Sequence, residues 1–145
     1  MANPNHALRM AAIAFAGAAG FGSAVALRSN VPGEPLGLKI SLSVRSGLLV
    51  GWGAGVAAPW PMPVVGLIAA AKAARGQRQG GPGVVCAGLG VACVVGTLVE
   101  PVTHHRRPWT PAISAAILVN LGASLLLTAA GLRYVASTRH DTTVR

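Results

Sequence analysis

The charged residues of this chain are confined to a few short segments, and that distribution limits its fold more than any other feature. Its 145 residues contain four charge-free stretches, 10–27, 46–71, 79–99 and 108–132, with all twelve cations and three acids between or beyond them. A helix rises about 1.5 Å per residue and a hydrocarbon core is about 30 Å thick, so roughly 17–25 residues span it and every stretch is long enough. Composition agrees: 52% of the residues are hydrophobic and 10% charged, against about 25% charged in soluble domains. Disorder needs low hydrophobicity, a disulfide scaffold needs many cysteines, and a soluble enzyme needs polar side chains to cover its surface. The expectation is therefore an all-α integral membrane bundle of about four transmembrane helices. It forms one domain over 1–145, with spans near 8–27, 46–71, 83–100 and 111–133 and a basic tail at 134–145.

Two spans carry alternatives. Arg9, the apolar run 10–22 and Ser23-Ala24-Val25-Ala26 stand in the order of a secretory signal peptide, whose cleavage after Ala26 would leave three spans. Retention as a signal-anchor helix is preferred, because the later spans need packing partners. In the second span Pro59, Pro61 and Pro63 alternate. Each lacks an N–H and disfavours helix at the residue before it, so the second helix is expected to be broken from Pro59 to Pro63. Backbone freed within a bilayer must be satisfied by protein or water, which places the break inside the bundle or on a cavity. Alternatively, 41–58 crosses with Arg45 snorkelling and 64–71 returns as a short segment.

Short-loop cations set orientation. With the N-terminus inside, Arg9, Lys72, Arg75, Arg78, Arg133, Arg139 and Arg145 lie inside and Arg28, Lys39, Arg45, Arg106 and Arg107 outside. Seven against five favours N-in and C-in. Arginine outnumbers lysine ten to two, which with the abundant Ala and Gly points to a GC-rich bacterial genome and an inner membrane. The net charge of +9 is explained by helix ends that meet anionic lipid headgroups; nucleic acid binding would need a basic soluble face that this chain lacks.

Transmembrane helices associate through close backbone approach, so small residues at four-residue spacing are the expected contact faces. Gly47, Gly51 and Gly55 form one such row, Gly88, Ala92 and Gly96 another, and Ala16/Gly20 and Ala18/Gly22 shorter ones. The fourth span opens on Thr110 as N-cap and Pro111 at the first helical position. Its Ser114, Asn120, Ser124 and Thr128 fall within roughly a 120° arc, a stripe that reads either as interhelical hydrogen bonding or as a cavity lining.

For chemistry the strongest candidates are Glu100, His104 and His105, a carboxylate and two imidazoles able in principle to hold a metal or move a proton. Pro101 ends the helix between them, so a solvated loop with Arg106 and Arg107 at the headgroups is the preferred reading. A second Glu-Pro pair, Glu34-Pro35, sits in the first loop, which raises the possibility of two duplicated halves. Cys86 and Cys93 lie about 10 Å apart along one helix and cannot pair without unwinding it. No charge falls well inside a span, and no Walker, dinucleotide, nucleophile-elbow or zinc-protease motif occurs, so no catalytic residue, metal or cofactor is expected. The leading expectation is a non-catalytic interaction protein, self-assembling or accessory to a larger membrane complex. The alternative is passage or binding of a small or lipid-like molecule in a cavity at the broken second span.

Overall fold

In the computed structural model, described over residues 3–38, 42–50, 53–75, 80–104 and 109–143, the chain is helical throughout, with no strand among those residues. The helices are α1 (Pro4–Ser29), α2 (Val44–Val50), α3 (Pro61–Ala74), α4 (Gly81–Val99) and α5 (Pro111–Thr143), with short 3-10 turns at Pro35–Gly37 and Pro101–His104. Three of them, α1, α4 and α5, are long and apolar enough to cross a membrane.

Local sequence explains where each begins and ends. The Asn3 side chain accepts the Asn5 N–H at 3.0 Å to cap α1, and Asn30 closes the helix in the left-handed conformation (φ 48°). Thr110 Oγ1 accepts the Ile113 N–H at 3.3 Å, as its position before Pro111 predicts. Pro61 and Pro63 fall in the first turn of α3, where the missing N–H groups have no partner in the helix anyway. The interruption expected from Pro59 to Pro63 is therefore displaced: α2 already ends at Val50, and Pro61 and Pro63 begin α3 rather than break a helix. The stretch 46–71 is accordingly divided between α2, an irregular segment and the 14 residues of α3.

Around the bundle the helices follow the order α1, α5, α4, α3, each packed on its two neighbours. Their buried positions recur at alternating three and four residues: Ile113, Ile117, Asn120, Ser124, Leu127, Gly131 and Tyr134 on α5, and Gly83, Ala87, Gly90 and Thr97 on α4. That is the spacing of a left-handed helix seam. Two core clusters result. One joins Leu8, Phe15, Ala70, Ala73, Cys86, Leu127 and Tyr134; the other, at the opposite end, joins Val25, Val31, Val44, Leu48, Val56, Val102 and Ile113. Ile13, Val64, Ile68, Val91, Leu118, Leu125 and Leu132 face outward, an apolar exterior suited to lipid and too large for a soluble monomer.

Three expectations are corrected. The region beginning at residue 134 is not a separate tail, because α5 continues to Thr143 and Tyr134 is buried in the core. Gly47, Gly51 and Gly55 do not form one helix face: α2 ends at Val50, Gly55 sits in the irregular segment, and Gly51 lies outside the described residues. Gly88 and Ala92 are exposed, and Gly96 has no neighbour where a Cβ would stand. Close approach of α4 to α5 uses another set, Gly83, Gly90 and Gly131. A Cβ at Gly83 would stand 2.7 Å from the Gly131 carbonyl oxygen, and one at Gly131 2.6 Å from the Ala87 nitrogen. Small-residue packing is the correct principle, applied to a different face of the same helix.

Candidate functional site

Where α2 stops, the backbone turns back on itself. Gly53 takes a positive φ of 80°, which favours glycine, and Ala54 and Ala57 exchange N–H to carbonyl bonds of 3.1 and 3.0 Å. The Gly53 and Trp60 N–H groups, both at 2.9 Å, satisfy the carbonyls of Gly47 and Leu48 at the end of α2. From Gly53 to Ala58 every residue is buried. The irregular backbone is therefore covered by protein and caps its own helix.

Beside this segment is a cavity of about 170 Å³. Gly53, Ala54, Gly55, Ala57, Ala58 and Pro59 form one wall, Met62 of α3 and Ala92, Cys93, Gly96, Thr97 and Glu100 of α4 another, and Asn120 of α5 closes it. Most of the lining is apolar, with its polar groups concentrated on one side. Asn120, 2% exposed, donates through Nδ2 to Thr97 Oγ1 at 3.1 Å, and its Oδ1 has no partner. Glu100, 7% exposed, accepts the Glu34 backbone N–H on Oε2 at 3.0 Å. Burial raises the Glu100 carboxyl above the ordinary carboxylate range; the Glu34 N–H draws it back, and the nearby Glu34 charge pushes it up again. Among the described residues no Lys, Arg or His lines the cavity.

The sequence candidates separate into distinct roles. Of the α5 stripe only Asn120 lines the cavity. Ser124 Oγ donates to the Asn120 carbonyl at 2.7 Å and Thr128 Oγ1 to the Ser124 carbonyl at 2.9 Å, so both hydroxyls are satisfied by their own helix. Ser114 is half-buried and outside the lining. Glu100 and His104 do not share a partner. His104 Nε2 bonds the Leu98 carbonyl and Thr103 Oγ1 the Thr97 carbonyl at 2.6 Å, which makes this turn the C-terminal cap of α4. His104 lines a separate depression with Leu36, Gly37, Val99 and Pro101, and His105 lies outside the described residues. Among the described residues no three His, Cys, Asp or Glu side chains come close enough to hold a metal ion.

Sequence reading missed Thr97, although a signal existed. Thr97 stands three residues before Glu100, on the same face at the end of α4. The two Glu-Pro pairs do meet, by a Glu34 amide bonded to the Glu100 carboxylate rather than through their side chains. Both free cysteines are buried, Cys86 beside the Gly66 carbonyl and Cys93 beside Met62 on the cavity wall. The chain matches no family model, no characterised protein and no solved structure in comparisons with each.

Proposed function

We propose that the protein is a four-crossing membrane bundle that binds a small amphipathic molecule in the cavity beside its interrupted second span. The observation that carries this reading is the cavity's lining: mostly apolar residues with Thr97, Glu100 and Asn120 as the polar side chains, in which the buried side-chain Oδ1 of Asn120 has no partner. An unsatisfied buried acceptor is costly and calls for a donor from outside the protein. At about 170 Å³ the chamber is comparable to the roughly 150 Å³ engineered cavity that admits benzene. Ala92 on its rim is exposed on the side of α4 away from α5, which favours access from lipid between α3 and α4.

The fourth crossing is supported by helix direction. Glu34 follows α1 and Glu100 follows α4, and the two are hydrogen-bonded, so α1 and α4 run the same way. The chain between them must return. Val44 and Leu48 belong to the core cluster at the Glu34 end, and Ala69, Ala70 and Ala73 to the cluster at the other. By this reading α2, the buried turn and α3 together make one crossing from outside to inside. The cation distribution favours a reading with both termini on the inner side of a bacterial inner membrane and anionic headgroups as lipid partners.

Cys93 gives a test that needs no known ligand. In purified protein in detergent, methyl methanethiosulfonate is expected to modify Cys93 much faster than Cys86, which is fully buried and outside the lining. Gly96→Leu has room for its side chain within that space. It is expected to slow Cys93 at least about ten-fold by closing access to the thiolate. Equal reactivity of the two cysteines would exclude an accessible cavity.

A second reading, assembly with another copy or as an accessory subunit of a larger complex, is supported by the Gly88/Ala92/Gly96 row. Within one protomer that row packs on no helix.

A further inference from the structure

We infer that the molecule held in this cavity carries a primary ammonium group. The inference rests on the cavity-binding reading above and adds the chemistry of the occupant. The polar wall offers acceptors: the Glu100 carboxylate, 7% exposed, and Asn120 Oδ1, 2% exposed and unpartnered. One N–H of its amide donor, Asn120 Nδ2, is bonded to Thr97 Oγ1. Among the described residues no cationic side chain lines the space. A buried carboxylate facing a cavity without a counter-charge favours a cationic guest, and the unpartnered acceptor favours one with several N–H groups. An anion would meet Glu100 with like charge.

The rest of the lining decides between an organic cation and a metal ion. A bare sodium or calcium ion needs about six oxygen ligands at close range, whereas among the described residues the lining side chains that supply oxygen are Thr97, Glu100 and Asn120. Ala54, Ala57, Ala58, Pro59, Met62 and Cys93 surround most of the volume with carbon and sulfur. Such a chamber suits a short alkyl chain with an ammonium head, the alkyl part against Met62 and the prolyl turn and the head against Glu100 and Asn120. Glu100 immediately follows the last turn of α4, so the head would lie near the interface, within reach of an aminolipid headgroup as well as a free amine.

The test uses the full chain in phosphatidylcholine nanodiscs, with empty nanodiscs as the blank. n-Butylammonium is titrated calorimetrically beside n-butanol and butyrate, which match its length with a neutral and an anionic head. Saturable binding of butylammonium alone is expected. Glu100→Gln is expected to weaken it roughly 30-fold or more, as loss of one member of a desolvated charge pair does, and Asn120→Leu by roughly ten-fold through loss of one hydrogen bond to a charged donor. Helicity by circular dichroism confirms that the variants fold, and the three-ligand series on the unaltered chain stands without them. If butanol binds as tightly and Glu100→Gln changes nothing, the ammonium assignment is overturned while the cavity reading survives. Failure of all three ligands while Cys93 remains selectively reactive also overturns the assignment alone. Failure of all three with Cys93 as inert as Cys86 overturns the cavity reading itself. Repeating the titration in phosphatidylethanolamine nanodiscs separates the sources of the group: competition by the lipid identifies a headgroup, and unchanged affinity a free amine, both upholding an ammonium site.

Discussion

Gly90→Leu is expected to destroy the folded bundle, whereas Gly88→Leu, two residues away, is expected to leave it intact. A Cβ at Gly90 would stand 2.5 Å from the Ser124 carbonyl oxygen and 2.8 Å from the Thr128 nitrogen, and would also collide with Thr128 Oγ1. The first two are backbone atoms of α5 and cannot move aside by a change of rotamer. Gly83 and Gly131 lie on the same seam with comparably short approaches, so no slide along α5 relieves the collision. Overpacking of a well-packed site costs about 1–3 kcal/mol, and a clash with helix backbone belongs at or beyond the upper end of that range. At Gly88 nothing lies within 4 Å of the same position. Unfolding titrations in mixed micelles should show a loss of about 3 kcal/mol or more for Gly90→Leu and little change for Gly88→Leu. If the outward row mediates self-association, Gly88→Leu will lower the oligomeric mass while leaving protomer unfolding unchanged.

Phe15→Ala should cost nearly as much, and Phe21→Ala almost nothing. The chain has two phenylalanines, both on α1, one in each environment. Phe15 is fully buried in the cluster that joins α1 to α3, α4 and α5, whereas Phe21 is 43% exposed on the outer face. Truncating a buried Phe costs about 3–5 kcal/mol. In lipid the loss comes from packing contacts rather than from exposure to water, so about 3 kcal/mol is the expected figure. The pair also addresses the signal-peptide alternative. Cleavage after Ala26 would remove Leu8, Phe15 and Ala19 from the core, and a bundle built without α1 would be indifferent to both substitutions. N-terminal sequencing of the purified protein should accordingly find α1 present.

What the sequence revealed followed from short-range physics. Bilayer thickness sets the length of an uncharged run, and that alone locates α1, α4 and α5. Thr110-Pro111 and Trp60-Pro61 act through adjacent backbone groups, so the starts of α5 and α3 are legible from neighbours in the chain, whereas the end of α2 at Val50 precedes the prolines and is not. Asn120 stood out as the amide in an apolar span. The rest depends on contacts between distant segments. Gly88/Ala92/Gly96 and Gly83/Gly90 are both rows of small residues, and only the position of α5 decides which of them is the seam. Glu100 reads in the sequence as part of a solvated loop with His104 and His105, but it is buried and held by the Glu34 amide, 66 residues earlier. His104 instead caps α4. Thr97 escaped notice because a threonine in a helix ordinarily bonds its own backbone, and its bond to Asn120 depends on how α4 and α5 align.

The central claim is that residues 44–74 cross the bilayer, so that the buried turn and its cavity lie within the membrane. Sided cysteine labelling tests it most directly. In a Cys86→Ala/Cys93→Ala background, Leu38→Cys and Ala74→Cys place single thiols at two exposed positions, before α2 and at the end of α3. With an impermeant maleimide on intact cells, a crossing predicts labelling at 38 without permeabilisation and at 74 only after it. Labelling of both from the same side would contradict the crossing and remove the cavity from the membrane.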